Sequence, residues 1–410
     1  MTAQFLDALV GLPLFPRFRE LIEENIGYFP AIRADPTGFS HQYRQYEDPP
    51  AAEIRYSTRA LARYIEIGDL LLAAKARNAS AALAAGLCLV RGSELARRDR
   101  YVGLALIARA FQRIRFRKIP HDAVLRSALD QGATGNNIPA LINLLFPLAH
   151  EIGHLTEAQQ LCPRAIHGDD FLETYRITYE RVRPFTGDFD YARHLHDETS
   201  PLFLQTLRDE AGSDFFAAAA MTRLFARSGD DYPLTAIAGS IFQFPLTMTT
   251  EALCVRDHGK SELQQATLAM HCRYSLLIDG VRACAKSIFS GSKEYAEIAR
   301  TIDATIDESV KEFDDHFELV WNGFGEFVEE FAAVSSLDDN QIVTRLKESC
   351  RDSRRRFAIA EYLETLSKES QAYPISADNL KSLKEYPELL RTFDTIIVQD
   401  DGVILRGPRF

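Results

Sequence analysis

A chain of 410 residues, 46% apolar and 26% charged, has ordinary globular composition and length for two or three domains, which excludes a disordered protein. Its net charge of −11 excludes the broadly basic surface of a general nucleic-acid binder, so no nucleic-acid partner is expected. Six scattered cysteines (Cys88, Cys162, Cys254, Cys272, Cys284 and Cys350) include no C-x-x-C pair, which argues against a disulfide scaffold and for reduced thiols in a cytoplasmic protein.

The first residues, MTAQFLDALVGLPLFPRFRELIEEN, lack a basic segment followed by an unbroken apolar one, so no signal peptide is expected. Residues 56–110 place apolar side chains at three- and four-residue spacing and predict stacked helices without a fixed repeat. The most apolar runs, 79–90 and 141–149, fall short of the roughly 20 residues of a membrane span, and membrane insertion is not expected. FQRIRFRKI (111–119) alternates in the period of a half-exposed strand with a cationic face. DQGATGNNIP (130–139) predicts a loop that Pro139 closes at a helix start. Further loop-rich stretches fall at 162–170 and 183–190. Ser200-Pro201 opens, and Ser228-Gly229 closes, a helix with Leu204, Leu207, Ala211, Phe215, Ala218 and Phe225 on one stripe. Helices resume from 233 to about 392, including a long acidic one near 294–333, and Asp401-Gly402 between β-branched runs predicts a terminal hairpin over 394–410. The expected fold is mainly α, with a pair of active-site helices, a small β component and a C-terminal β-hairpin. Its expected regions are a helical 1–134, a catalytic core over 135–260 and a helical 261–410 that ends in the hairpin.

The chemistry concentrates in LAHEIGHL (148–155). Helix positions four apart share a face, so His150 and His154 can hold one ion. Glu151 is turned about 100° around the axis and is placed to act on a water in an open coordination position. A zinc-bound water ionises near pH 7, and Glu151 would serve as its general base before passing the proton to the leaving amine. Ala149, Ile152, Gly153 and Leu155 carry no charge, as a helix buried under an active site requires. A surface helix with two ordinary histidines would carry charge in some of those slots.

The third ligand has two candidate sources. Glu210 and Asp214 are four apart beside the stripe of the 200–228 helix, so one can ligate while the other accepts the N–H of a ligating histidine. Ala211, Gly212 and Ser213 between them permit close approach of a second helix. Glu251 is the other source, but its nearest downstream acid, Asp257, lies about 240° around the axis and cannot share its face. Glu210 is preferred.

His150-Glu151-x-x-His154 followed by Glu210-x-x-x-Asp214, with Phe215 and Ala217 close behind, resembles the gluzincin zinc metallopeptidases. It is similar to the pattern of the HtpX and CAAX-prenyl-protease group and its soluble relatives, which use H-E-x-x-H and E-x-x-A-D. The resemblance covers two helices, near 140–156 and 200–228, and Ser213 stands where that pattern has Ala. It implies a Zn2+ cofactor held by His150, His154 and Glu210, with Glu151 as general base and Asp214 in support.

Tyr191, Arg193, His194 and His196, just ahead of the glutamate helix, are candidates to stabilise the oxyanion of a scissile carbonyl, with His258 and His271 behind them. His271-Cys272 is a weaker candidate for a second metal site. The expected partner is a protein or peptide substrate that adds a strand to a sheet edge, and the strand read at 111–119 would supply that edge. Its arginines, Arg113 among them, would then favour acidic substrates. The competing readings are a helical binding or regulatory protein with a structural or relic metal site, and a zinc hydrolase acting on a non-peptide bond. The intact Glu151 favours an enzyme, because a structural zinc has no use for a base. Oligomeric state is not legible in the sequence.

Overall fold

The computed structural model describes residues 2–35, 41–46, 51–77, 80–99, 101–113, 121–133, 137–161, 200–227, 234–255, 260–288, 295–349, 395–399 and 402–406, with isolated positions among 173–177, 290–293 and 351–362. Thirteen helices and a small three-stranded sheet make up most of this, and a two-stranded antiparallel hairpin forms from Thr395–Gln399 and Gly402–Arg406. The fold is therefore mainly helical. No helix among the described residues is long and apolar enough to cross a membrane.

The chain divides into two compact units, 1–65 with 125–314 and 66–124 with 315–410. The first opens with α1 (Thr2–Val10) and α2 (Phe15–Ile26), the latter stopped by Gly27, whose φ of 86° is a left-handed conformation that glycine adopts at no steric cost. Three strands follow: β1 (Ala31–Asp35), β2 (Gln42–Tyr46) and β3 (Ala51–Ser57). Their order is β1-β3-β2, with β1 parallel and β2 antiparallel to β3, so β2 has one strand neighbour among the described residues. Ile54 and Tyr56 of β3 are buried, and the Tyr56 hydroxyl donates to the Leu144 carbonyl at 2.5 Å. That bond fixes the sheet to α7 (Ile138–Gly153), most of whose residues are buried. Asn137 caps α7 by accepting from the Ala140 N–H at 3.2 Å, and Pro139 in its first turn costs no hydrogen bond there. The short α8 (Thr156–Gln159) follows directly.

Numbering in chain order, α9 (Ser200–Arg227) packs on both α7 and α11 (Lys260–Ile288), and α10 (Leu234–Val255) packs on α7 and α11. The crossing of α7 and α9 is close because both carry small residues at it. A Cβ on Gly153 would lie 2.7 Å from the Ser213 Cα, closer than real side chains come to backbone. The Gln159 amide then donates to the Gly153 carbonyl at 2.6 Å and to the Ser213 hydroxyl at 3.2 Å, joining α8 to both helices.

The second unit contains α4 (Ser80–Asp99), packed on α5 (Tyr101–Arg113), and α13 (Asp339–Ser349) against α5. α3 (Thr58–Arg77), α6 (His121–Ala133) and α12 (Tyr295–Ser335) each contain a point where one unit ends and the other begins. Within this unit the reading of 111–119 as a strand is corrected where residues are described: Phe111, Gln112 and Arg113 are the last turn of α5. The helical stripe Leu106, Ile107, Ala110 and Phe111 is buried, and that burial overrides the short-range alternation. Arg113 donates to Glu326 and Glu330 at 2.8 and 2.5 Å, and Arg109 to Glu330 at 2.8 Å, so these arginines tie α5 to α12. Residues 114–119 lie outside the described residues. Residues 130–133, read as the start of a loop, are the end of α6.

Candidate metal centre

His150 sits in the last turn of α7 and His154 is its C-cap residue. His154 keeps helical dihedrals, φ −74° and ψ −13°, so the four-residue spacing still places both rings on one face. The ring centroids lie 4.9 Å apart and nearly perpendicular. Glu210 of α9 reaches across, with Oε2 3.3 Å from His150 Nε2 and Oε1 3.7 Å from His154 Nε2. Ligand atoms of all three residues lie within 4.8 Å of one another. Zinc–ligand bonds of about 2.0–2.1 Å in a tetrahedron set ligand atoms about 3.3 Å apart, so the donor set fits a small cation with minor closure.

The surroundings select which atoms face the centre. His150 Nδ1 is 2.9 Å from Asp214 Oδ1, which leaves Nε2 for Glu210 and His154. Asp214 is fully buried and also accepts two hydrogen bonds from Arg273 of α11, at 2.6 and 2.9 Å; the same guanidinium lies 3.2 Å from Glu210 Oε2. Glu210, Asp214 and Arg273 together carry one net negative charge, which favours a divalent cation beside two neutral imidazoles. Burial alone would lower the His150 pKa, but hydrogen bonds to Asp214 and Glu210 and their charges outweigh it and hold the ring at about 10. Without a metal, a proton on His150 occupies the cationic role between the two acids. Burial lowers His154 to about 4, with the His150 charge adding to the effect. Glu210 and Asp214 both remain ionised, because Arg273 and His150 overcome the burial that would neutralise them.

Glu151 is the other distinctive carboxyl. It lies next to the cluster and, among the described residues, forms no hydrogen bond or ion pair. Burial pushes its pKa up to about 7, moderated by the His150 charge and reinforced by that of Glu210. Such a group can take and return a proton at neutral pH.

The sheet supplies the remaining wall. Tyr43 of β2 stacks face to face on His154, with ring centroids 5.0 Å apart and planes within 9°, while staying 43% exposed. Two residues on, Gln45 accepts from the Thr156 N–H and hydroxyl at 3.1 Å and donates to Glu157 at 2.8 Å. His41, on the same face, is buried against Tyr56, accepts the Ser57 N–H at Nδ1, and is held neutral by burial, which lowers it to about 3.

The two helices read from sequence thus bring His150, His154, Glu210 and Asp214 together, with Glu151 beside them. Glu251 is instead buried in an ion pair with Arg63, 2.5 Å from its Nε. Tyr191, Arg193, His194, His196 and His258 lie outside the described residues, as do the side chains of His271 and Cys272 in α11. Sequence reasoning missed Arg273 and Tyr43. Arg273 had a usable signal: it stands beside the buried stripe Met270, Tyr274, Leu277 and Val281, where a lone cation needs a buried partner. Comparison of the chain with protein families, with characterised proteins and with solved structures finds no match, so the geometry of this centre stands alone as the basis for a function.

Proposed function

We propose that the chain is a zinc-dependent peptidase whose metal is held by His150, His154 and Glu210. A zinc ion held by these residues would supply Lewis acidity, lowering the pKa of a water and polarising the substrate carbonyl. Glu151 accepts the proton of the attacking water and delivers it to the leaving nitrogen. Asp214 fixes the tautomer and orientation of His150, and Arg273 fixes Asp214 and Glu210 in turn. The β2 strand adjoins His154 through Tyr43 and has no second strand neighbour among the described residues, and that edge can pair with an extended substrate. This edge replaces the one expected from 111–119.

The observation that carries the reading is Glu151: a carboxyl held near pKa 7 and uncommitted to any described partner, next to a three-ligand cluster. A structural metal site has no need of it. Incubating the full chain with a mixture of unlabelled peptides and following new termini by mass spectrometry tests the proposal. Cleavage should appear with zinc, cease with a chelator and return on zinc addition. A zinc-loaded protein that leaves every peptide intact would contradict it.

A further inference from the structure

The outer face of the sheet, opposite α7, carries a charge pattern that the centre does not use. Side chains alternate along a strand, so with Tyr43 and Gln45 directed at α7 and α8, Gln42 and Arg44 lie on the other face. Arg33 of β1 and Arg55 of β3 share that face, and both pair with Glu53, at 2.9 and 3.1 Å on separate carboxylate oxygens. Arg44 stands opposite Glu53 in the strand register, but the Glu53 carboxylate is already taken on both oxygens. Arg44 itself is exposed and forms no hydrogen bond or ion pair among the described residues. The other acid on this face, Asp35, sits at the end of β1, the far strand of the sheet. Among the described residues an uncommitted cation thus lies on the edge strand of the sheet, one residue from the tyrosine that stacks on His154, in a chain of net charge −11.

We infer that Arg44 selects acidic peptides: an extended substrate paired on the edge of β2 that has no strand neighbour among the described residues places alternate side chains on the outer face, where Asp or Glu meets Arg44. Directly opposed residues of neighbouring strands have Cβ atoms about 4.5–5.5 Å apart, within reach of a guanidinium and a carboxylate. The inference rests on the peptidase reading for the use of β2 as substrate edge, and it adds the substrate class. Because Arg44 is exposed, the preference is modest and salt-dependent: about two- to fivefold for Glu over Lys at one outward position, as exposed cross-strand charge pairs allow.

The test separates binding from cleavage. Full-length Glu151→Gln protein, loaded with zinc and immobilised, is exposed to a randomised peptide library, and the retained peptides are sequenced by mass spectrometry. Retained peptides should be enriched about two- to fivefold in Asp and Glu over Lys at one outward position, with the enrichment falling as NaCl is raised. Adding Arg44→Glu should reverse the preference, and adding Arg44→Gln should abolish it. Unchanged enrichment in both Arg44 variants, no enrichment, or no retention of any peptide would overturn the inference. Cleavage by the wild-type chain without charge preference would overturn it while leaving the peptidase reading intact. A preference that reverses with Arg44→Glu, in a protein that cleaves nothing, would overturn the peptidase reading alone.

Discussion

Glu151→Gln should abolish hydrolysis while leaving the metal in place. The substitution keeps the size and shape of the side chain but removes its capacity to take a proton. Because Glu151 lies outside the set His150, His154 and Glu210, no ligand is lost. General-base catalysis of this kind contributes typically about 10²–10⁴-fold, so the rate should fall by at least about a hundredfold. Zinc measured per chain should match the wild type. Burial holds this carboxyl at about 7, at a cost that glutamine, being neutral, does not carry, so the variant should also be no less stable. Retained activity in a zinc-loaded Glu151→Gln protein would rule out this residue as the base.

The second large effect is expected at Asp214, where one buried carboxylate serves two partners. Asp214→Ala removes the acceptor of His150 Nδ1 and both strong hydrogen bonds of Arg273. Loss of the acceptor that orients a ligating histidine typically weakens metal binding about 10–100-fold. Removing one partner of a buried ion pair costs about 3–5 kcal/mol, because the other charge stays buried; here Glu210, 3.2 Å from the same guanidinium, offsets part of that. Asp214→Asn preserves shape and one acceptor oxygen, and should bind metal between wild type and Asp214→Ala. Chemical denaturation of the metal-free proteins, alongside competitive zinc titration, separates the two effects. Wild-type zinc affinity in Asp214→Ala would show that the aspartate is structural only.

Most of this centre was legible in the sequence because helical spacing is a local property. The face shared by His150 and His154, the turn of Glu151 away from it, and the pairing of Glu210 with Asp214 all follow from 3.6 residues per turn. The small residues between Glu210 and Asp214 signalled the close crossing that Gly153 and Ser213 make. What the sequence did not disclose depends on long-range pairing. Arg273 meets Asp214 across 59 residues of sequence, and β2 reaches His154 from more than 100 residues away. The alternation at 111–119 reads as a strand, yet Phe111 is part of the buried stripe of α5, and Arg113 pairs with Glu326 and Glu330 on α12. Short strands such as β2 alternate over only five residues, so their pattern competes poorly with the amphipathic helices around them.

His150, His154 and Glu210 are proposed to form one metal centre. Elemental analysis of chain purified without chelator, beside Glu210→Ala and Glu251→Ala, tests it most directly. The geometry predicts about one zinc per chain in the wild type and in folded Glu251→Ala, and a marked loss in Glu210→Ala. A wild type that binds no zinc when it is supplied, or a Glu210→Ala protein that keeps its full complement, would contradict it.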